Sequence, residues 1–148
     1  TVHSLSSIKA VKRLTQMGVP AYMLGESLIL LQAQRLIRRL CDCKRAVDLS
    51  HQQQELFAQH AITPPAAIYT PAGCSCCLNT GYKGRVAVME LCPIDDVLGE
   101  MISEEASTSE LEIAAEKGGF RSLFQEALEQ CALGNVSHDV AMELSKAW

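Results

Sequence analysis

Gln34-Arg35-Leu36-Ile37-Arg38-Arg39-Leu40-Cys41-Asp42-Cys43 joins an apolar, arginine-studded run to a pair of cysteines, and the architecture on either side turns on how it is read. Leu24, Leu28, Leu31, Leu36 and Leu40 can share one broad stripe of a helix, with Gln and Arg on the other side. That spacing predicts a helix from Pro20 to about Leu40, with the proline in its first turn. Arg35, Arg38 and Arg39 then form an i, i+3, i+4 basic face.

Upstream, Ile8, Val11, Leu14 and Met17 recur at every third position and predict a helix over 7–17, stopped by Gly18. Downstream, from Cys41 to about Gly84, the periodicity fades and Cys, Pro and Gly punctuate the chain. A short helix is expected around Gln52–His60, ended by Pro64-Pro65. Ile68–Thr70 and Arg85–Cys92 read as strands. They are expected to form a hairpin with the cysteines, Gly81 and Gly84 at its tip. After Pro93 the pattern is helical, over 94–103, 108–117, 120–133 and 137–147. In the third of these, Phe120, Leu123, Phe124, Ala127, Leu128 and Cys131 follow i, i+3, i+4, i+7, i+8, i+11. Ser137 is placed to cap the fourth.

The chain has 148 residues, 48% of them apolar and 20% charged, which suits about one domain and excludes a disordered or collagen-like chain. No unbroken apolar run exceeds four residues, far below the ~18 needed to span a membrane. Thr1-Val2-His3-Ser4 has neither a basic start nor an apolar core, so no signal peptide is expected, and the missing initiator Met points to a piece of a longer chain. The formal charge of −4 is uneven. Residues 1–89 carry ten basic and four acidic residues, whereas residues 90–148 carry three basic and thirteen acidic ones. Such a split suggests subregions with different partners, or a solvated acidic helical surface.

Five of the seven cysteines cluster, as Cys41-Asp42-Cys43 and Cys74-Ser75-Cys76-Cys77. Without a secretory signal, thiols or metal ligands are expected rather than disulfides. Zinc takes four soft ligands in a tetrahedron, and two close pairs brought together by a loop supply them. Cys74 and Cys77 have the two-residue gap of a zinc knuckle; Cys41 and Cys43 are one residue closer. Arg38, Arg39, Lys44 and Arg45 flank the first pair and favour ionised thiols. The alternatives are buried thiols without metal and a redox dithiol, the latter disfavoured by a lone Cys-x-x-Cys outside a βαβ unit. Cys76 is a spare, and Cys92 and Cys131 sit at core positions. His51 and His60 lie in a Gln-rich stretch and read as surface residues rather than ligands.

Strung together, Thr1-Val2-His3-Ser4, Arg13–Val19, Gln34–Cys41, Gly73–Cys77, Thr80-Gly81-Tyr82-Lys83-Gly84-Arg85 and Glu90-Leu91 form a specific series. The series resembles the C-terminal region of the type II secretion and type IV pilus-assembly ATPases, the GspE/PilB-like traffic ATPases. Phe120–Leu123 and Gly134–Ser137 fit that family's final helices, so the resemblance covers essentially the whole chain. It implies a mainly α fold with a small β hairpin, in three parts. Residues 1–40 would be the end of a RecA-like P-loop ATPase core, 41–92 a Cys-rich zinc-binding subdomain, and 93–148 a helical C-terminal subdomain.

The resemblance further implies zinc on Cys41, Cys43, Cys74 and Cys77, and His3 and Arg13 near a nucleotide. The family's first pair is CxxC where this chain has Cys41-Asp42-Cys43. Its members are cytoplasmic homohexamers, peripheral to the bacterial inner membrane, that contact a membrane platform protein. They use ATP and Mg²⁺ to drive secretion or pilus assembly. This chain has no Gly-x-x-x-x-Gly-Lys-Ser/Thr loop to cradle phosphates. No catalytic residue is therefore assigned, and the chain alone is expected not to hydrolyse ATP. A free-standing zinc-ribbon adaptor for nucleic acid or protein is the alternative. Nucleic acid is not expected: the chain is acidic overall, and residues 1–89 hold only Tyr22, Phe57, Tyr69 and Tyr82 for base stacking.

Overall fold

A computed structural model of the chain describes residues 6–145. Among them are seven α-helices and two two-stranded sheets. The helices are α1 (Ser7–Gln16), α2 (Ala21–Ser27), α3 (His51–Gln59), α4 (Asp96–Ser103), α5 (Thr108–Lys117), α6 (Leu123–Ala132) and α7 (His138–Ser145). The strands are β1 (Leu30–Leu40), β2 (Arg45–Val47), β3 (Ile68–Thr70) and β4 (Tyr82–Pro93), and Ser75–Cys77 forms one 3₁₀ turn.

Caps written into the sequence start most of the helices. Ser6 Oγ accepts from Lys9 N at α1, Asp95 Oδ1 from Leu98 N at α4, and Ser137 Oγ from Val140 N at α7. Ser50 with Gln53 and Ser107 with Glu110 form reciprocal capping boxes at α3 and α5. Gly18, at φ +94°, turns the chain out of α1.

The largest departure from the sequence pattern lies in the opening stretch. The expected helix from Pro20 to Leu40 stops at Ser27, and Leu30–Leu40 is a strand. Leu36, expected in a buried stripe, is 55% exposed. The expected hairpin also re-pairs. Ile68–Thr70 lies antiparallel to Arg45–Val47, with Arg45 opposite Thr70 and Val47 opposite Ile68. The strand that was to complete the hairpin, β4, pairs with β1 instead. Ile94 N donates to Ile29 O and Cys41 N to Gly81 O, near opposite ends of the pair, so β1 and β4 run antiparallel. The smaller expected helices form within a few residues of their expected ends, except that the end expected at 147 lies outside the described residues.

The chain divides into two compact units, residues 1–34 with 89–122 and residues 35–88 with 123–148. In the first, Ile8, Val11, Leu24, Leu31, Cys92, Leu98, Ile102, Leu111, Ala115 and Phe120 form the core. Helix α2 packs on α4, and α5 packs on α1 and α4. Fully buried Glu90 on β4 accepts a hydrogen bond from Ser7 N at the start of α1, where the helix dipole favours an anion. In the second, Phe57, Val88, Ala127, Leu128, Cys131, Val136, Val140 and Ala141 are buried. Helices α6 and α7 pack together, and each touches β3.

Candidate metal centre

The second unit brings Cys41, Cys43, Cys74 and Cys77 together. Their four Sγ atoms all lie within 4.8 Å of one another. Cys41 to Cys74 and Cys43 to Cys77 measure 3.9 Å, and Cys74 to Cys77 measures 3.7 Å. Four sulfurs each ~2.3 Å from one tetrahedral zinc stand ~3.8 Å apart, so spacing and donor chemistry both fit that ion.

Local backbone geometry builds the site. Leu40 ends β1, and Cys41 follows it with its amide on Gly81 O at 2.9 Å, which ties the first cysteine loop to the second. Lys44 N then donates to Cys41 O at 2.9 Å, closing a turn that brings Cys43 back beside Cys41. Around the second pair the 3₁₀ turn leads into left-handed Leu78 and Asn79. Gly81, at φ +76°, packs so closely on Pro71 that a Cβ would overlap that ring. The amides of Cys74 and Gly81 both donate to Cys77 Sγ, at 3.1 and 3.2 Å.

These contacts separate the thiols electrically. Burial opposes ionisation of Cys77, but the Cys74 and Gly81 amides and the thiols of Cys74 and Cys43 outweigh it and bring the group down to about 6. Burial pushes Cys43 up to about 12; a backbone hydrogen bond from Gly73 works against the rise, and the thiols of Cys74, Cys41 and Cys77 add to it. Without an ion the cluster therefore favours a thiolate at Cys77 over one at Cys43. A divalent cation would supply the charge that offsets several thiolates held together.

The remaining sequence candidates fall elsewhere. Cys76 is exposed and outside the cluster. Cys92 and Cys131 are buried core thiols, each raised to about 11, first by burial and then by nearby carboxylates. His51 pairs with Glu55, and the His60 ring meets Phe124 edge-on at 5.1 Å between centroids. Arg13 is an exposed residue in the last turn of α1, and His3 lies outside the described residues. The arginines read as one helical face sit on a strand, all exposed. Arg38 stacks over Tyr82, 4.6 Å from the ring centroid, and pairs with Glu143 at 3.0 Å.

Sequence spacing missed the supports of the site. Lys44 Nζ donates to Gly134 O at 2.6 Å and lies 4.6 Å from the Tyr69 ring centroid. Tyr82 Oη and Ser137 Oγ are 3.1 Å apart. Gly134 and Asn135 fall between the helices expected over 120–133 and 137–147, Lys44 was read only as a charge beside the thiols, and Ser137 only as a cap.

Among the described residues, two small sheets, seven helices and a four-cysteine cluster define a mixed, helix-rich fold with a candidate soft-metal site. Residues 1–143 match the family of type II/IV secretion system proteins. The chain is 37% identical over 125 residues to a type IV pilus assembly ATPase, TfpB, of Acinetobacter baylyi, an alignment covering 83% of this chain and 21% of that protein. It is 34% identical over 148 residues to a putative type II secretion system protein E of Escherichia coli K12, covering 99% of this chain and 30% of the relative. With the type II secretion system ATPase E of Vibrio cholerae it shares 34% over 147 residues, 99% of this chain and 29% of that one. The chain thus spans between about a fifth and a third of the length of these relatives. It belongs to the type II/IV secretion system protein family. Among the described residues no helix is long and apolar enough to cross a membrane.

Proposed function

We propose that this chain acts as the metal-bearing C-terminal part of a secretion or pilus-assembly ATPase, with zinc held by Cys41, Cys43, Cys74 and Cys77. The observation that carries the reading is the cluster itself, four thiols within 4.8 Å in a chain whose relatives are secretion ATPases. Zinc would cross-link two loops more than thirty residues apart and fix the second unit around them. Its role here is structural, because four protein ligands leave no open position for chemistry.

Residues 1–40 are read as the end of a RecA-like ATPase core, with His3 and Arg13 on its nucleotide side. ATP and Mg²⁺ would act in a polypeptide that also carries a phosphate loop; this chain contributes contacts to other subunits of a homohexamer and to an inner-membrane platform protein. The working place is the cytoplasmic face of the bacterial inner membrane. Elemental analysis and an ATPase assay on the same preparation test the reading. One zinc per chain with hydrolysis at background supports it. Metal-free protein, or a hydrolysis rate that survives repurification, contradicts it.

A further inference from the structure

We propose that the cysteine site and the α6–α7 helix pair form one thermodynamic unit, joined by a clamp in which Leu40 and Lys44 grip the Gly134-Asn135 turn. The proposal rests on the zinc reading above and adds what the ion controls.

Leu40 and Lys44 bracket the first cysteine pair. Leu40 N donates to Asn135 O at 2.8 Å, and Lys44 Nζ donates to Gly134 O at 2.6 Å. Both acceptors lie in the turn between α6 and α7, just past the carboxyl end of α6, where carbonyls lack helical partners and a cation is favoured. The fit is tight. Gly134 has φ +73°, and a Cβ there would stand 2.7 Å from Tyr69 Cδ2 and 3.2 Å from Lys44 Nζ. Tyr69 belongs to β3, which pairs with β2 directly after Lys44 and touches both helices. The first cysteine loop, the small sheet and the helix turn therefore hold one another.

An ion binding all four thiols fixes the Cys41–Cys43 loop, and so presents Leu40 N and Lys44 Nζ to the turn in the geometry the clamp needs. Without it the loop keeps the Cys41 amide on Gly81 O and the weak thiol contacts to Cys74 and Cys77 as its ties to the second cysteine loop. Linkage makes the effect mutual: the ion favours docking of α6–α7, and docking favours the ion by the same factor. Metal loading of one loop is then read out as order in the last two helices of the chain.

The test combines zinc affinity, from competition with a chromogenic chelator, with amide hydrogen exchange of the chain before and after chelation. Exchange across 123–145 is expected to rise by roughly 5- to 150-fold on zinc removal, the usual range of coupling between sites, with much less change in α1 and α5. Lys44→Met, which keeps the stem and removes the donor, is expected to weaken zinc binding by about fivefold or more. Gly134→Ala, which drives a methyl into Tyr69, is expected to weaken it further. Should Gly134→Ala not fold, Lys44→Met decides. Wild type that binds one zinc per chain, yet shows unchanged exchange in α6–α7 after chelation, overturns the clamp and leaves the zinc reading standing. So does wild-type affinity in Lys44→Met. A wild-type chain that binds no zinc overturns both.

Discussion

Cys43 Sγ lies 3.9 Å from Cys77 Sγ although Cys43 stands only two positions after Cys41. A single intervening residue, Asp42, therefore does not keep the first pair from meeting the second. The Lys44 N to Cys41 O bond folds the loop tightly enough to aim both sulfurs at one point. The cluster separates the proposed ligands from bystanders, and mutation can test that division. Cys43→Ser is expected to weaken zinc binding by at least ~100-fold, beyond what loss of a supporting outer contact costs. Cys76→Ser is expected to leave it unchanged. Chelator competition on the two variants reads the contrast.

Thiol reactivity should sort the seven cysteines into three classes. In zinc-loaded protein at pH 8, only exposed Cys76 is expected to react quickly with a disulfide reagent. Chelation should release the cluster thiols to reaction, with Cys77, down at about 6, reacting ahead of Cys43, pushed up to about 12. Cys92 and Cys131, buried and raised to about 11, should stay slow until the chain unfolds. Mass spectrometry of the labelled peptides distinguishes the classes. Rapid labelling of all four cluster thiols before chelation would contradict the assignment.

The gathering of four thiols at this candidate site was legible in the sequence, because the spacing within each close pair is a local property. Two close thiol pairs beside basic residues announce soft-metal chemistry whatever the surrounding fold. Helix α6 was legible for a similar reason: its apolar face repeats at the helical period and folds onto the core largely as written. Strand β1 was not. Leu, Gln and Arg are good helix formers, and Leu24–Leu40 has helical spacing. What makes Leu30–Leu40 a strand is pairing with β4, some fifty residues away, which no local window contains. Strand β2 is three residues with every side chain exposed, so its partnership with β3 left no pattern to read. Glu90 carried no chemical signal either; its role appears only when β4 brings it to the first amide of α1.

Glu90→Ala should be among the more damaging changes in the first unit. The substitution leaves the Ser7 amide without its buried acceptor and opens a cavity beside α1. An unsatisfied buried donor plus the void cost about 3 kcal/mol or more. Urea denaturation is expected to show that loss, with the Ser7 amide losing protection from exchange.

Gly25→Ala tests the α2–α4 crossing. A Cβ at Gly25 would overlap Ser103 Oγ and the Gly99 carbonyl, and one at Gly99 would stand 2.9 Å from Gly25 O. The two helices approach backbone to backbone, so the added methyl must push them apart. Overpacking of this kind costs about 1–3 kcal/mol, against the small gain alanine brings to an open helix. A urea midpoint equal to or above that of wild type would contradict the close crossing.

Acid should weaken α5 through Glu110. Its Oε2 accepts from Ser107 Oγ at 2.7 Å and Ser107 N at 2.8 Å, and these bonds lower its pKa from the ordinary 4.5. A carboxyl whose folded value is depressed stabilises the fold fully above its unfolded value and loses that contribution as pH falls through the folded value. The stability difference between wild type and Glu110→Gln is therefore expected to be constant above about pH 5 and to shrink below the ordinary 4.5. Urea midpoints of both proteins across pH 3–6 check the sign, and a gap that widens with acid would contradict it.

X-ray absorption at the zinc edge, on protein purified without added metal, tests the four-thiolate site most directly. About one zinc per chain is expected, with four sulfur neighbours at ~2.3 Å and loss of sulfur from that coordination in Cys43→Ser. A shell of nitrogen and oxygen at ~2.0–2.1 Å, or no zinc at all, would show that the four gathered thiols do not form the metal site proposed for this chain.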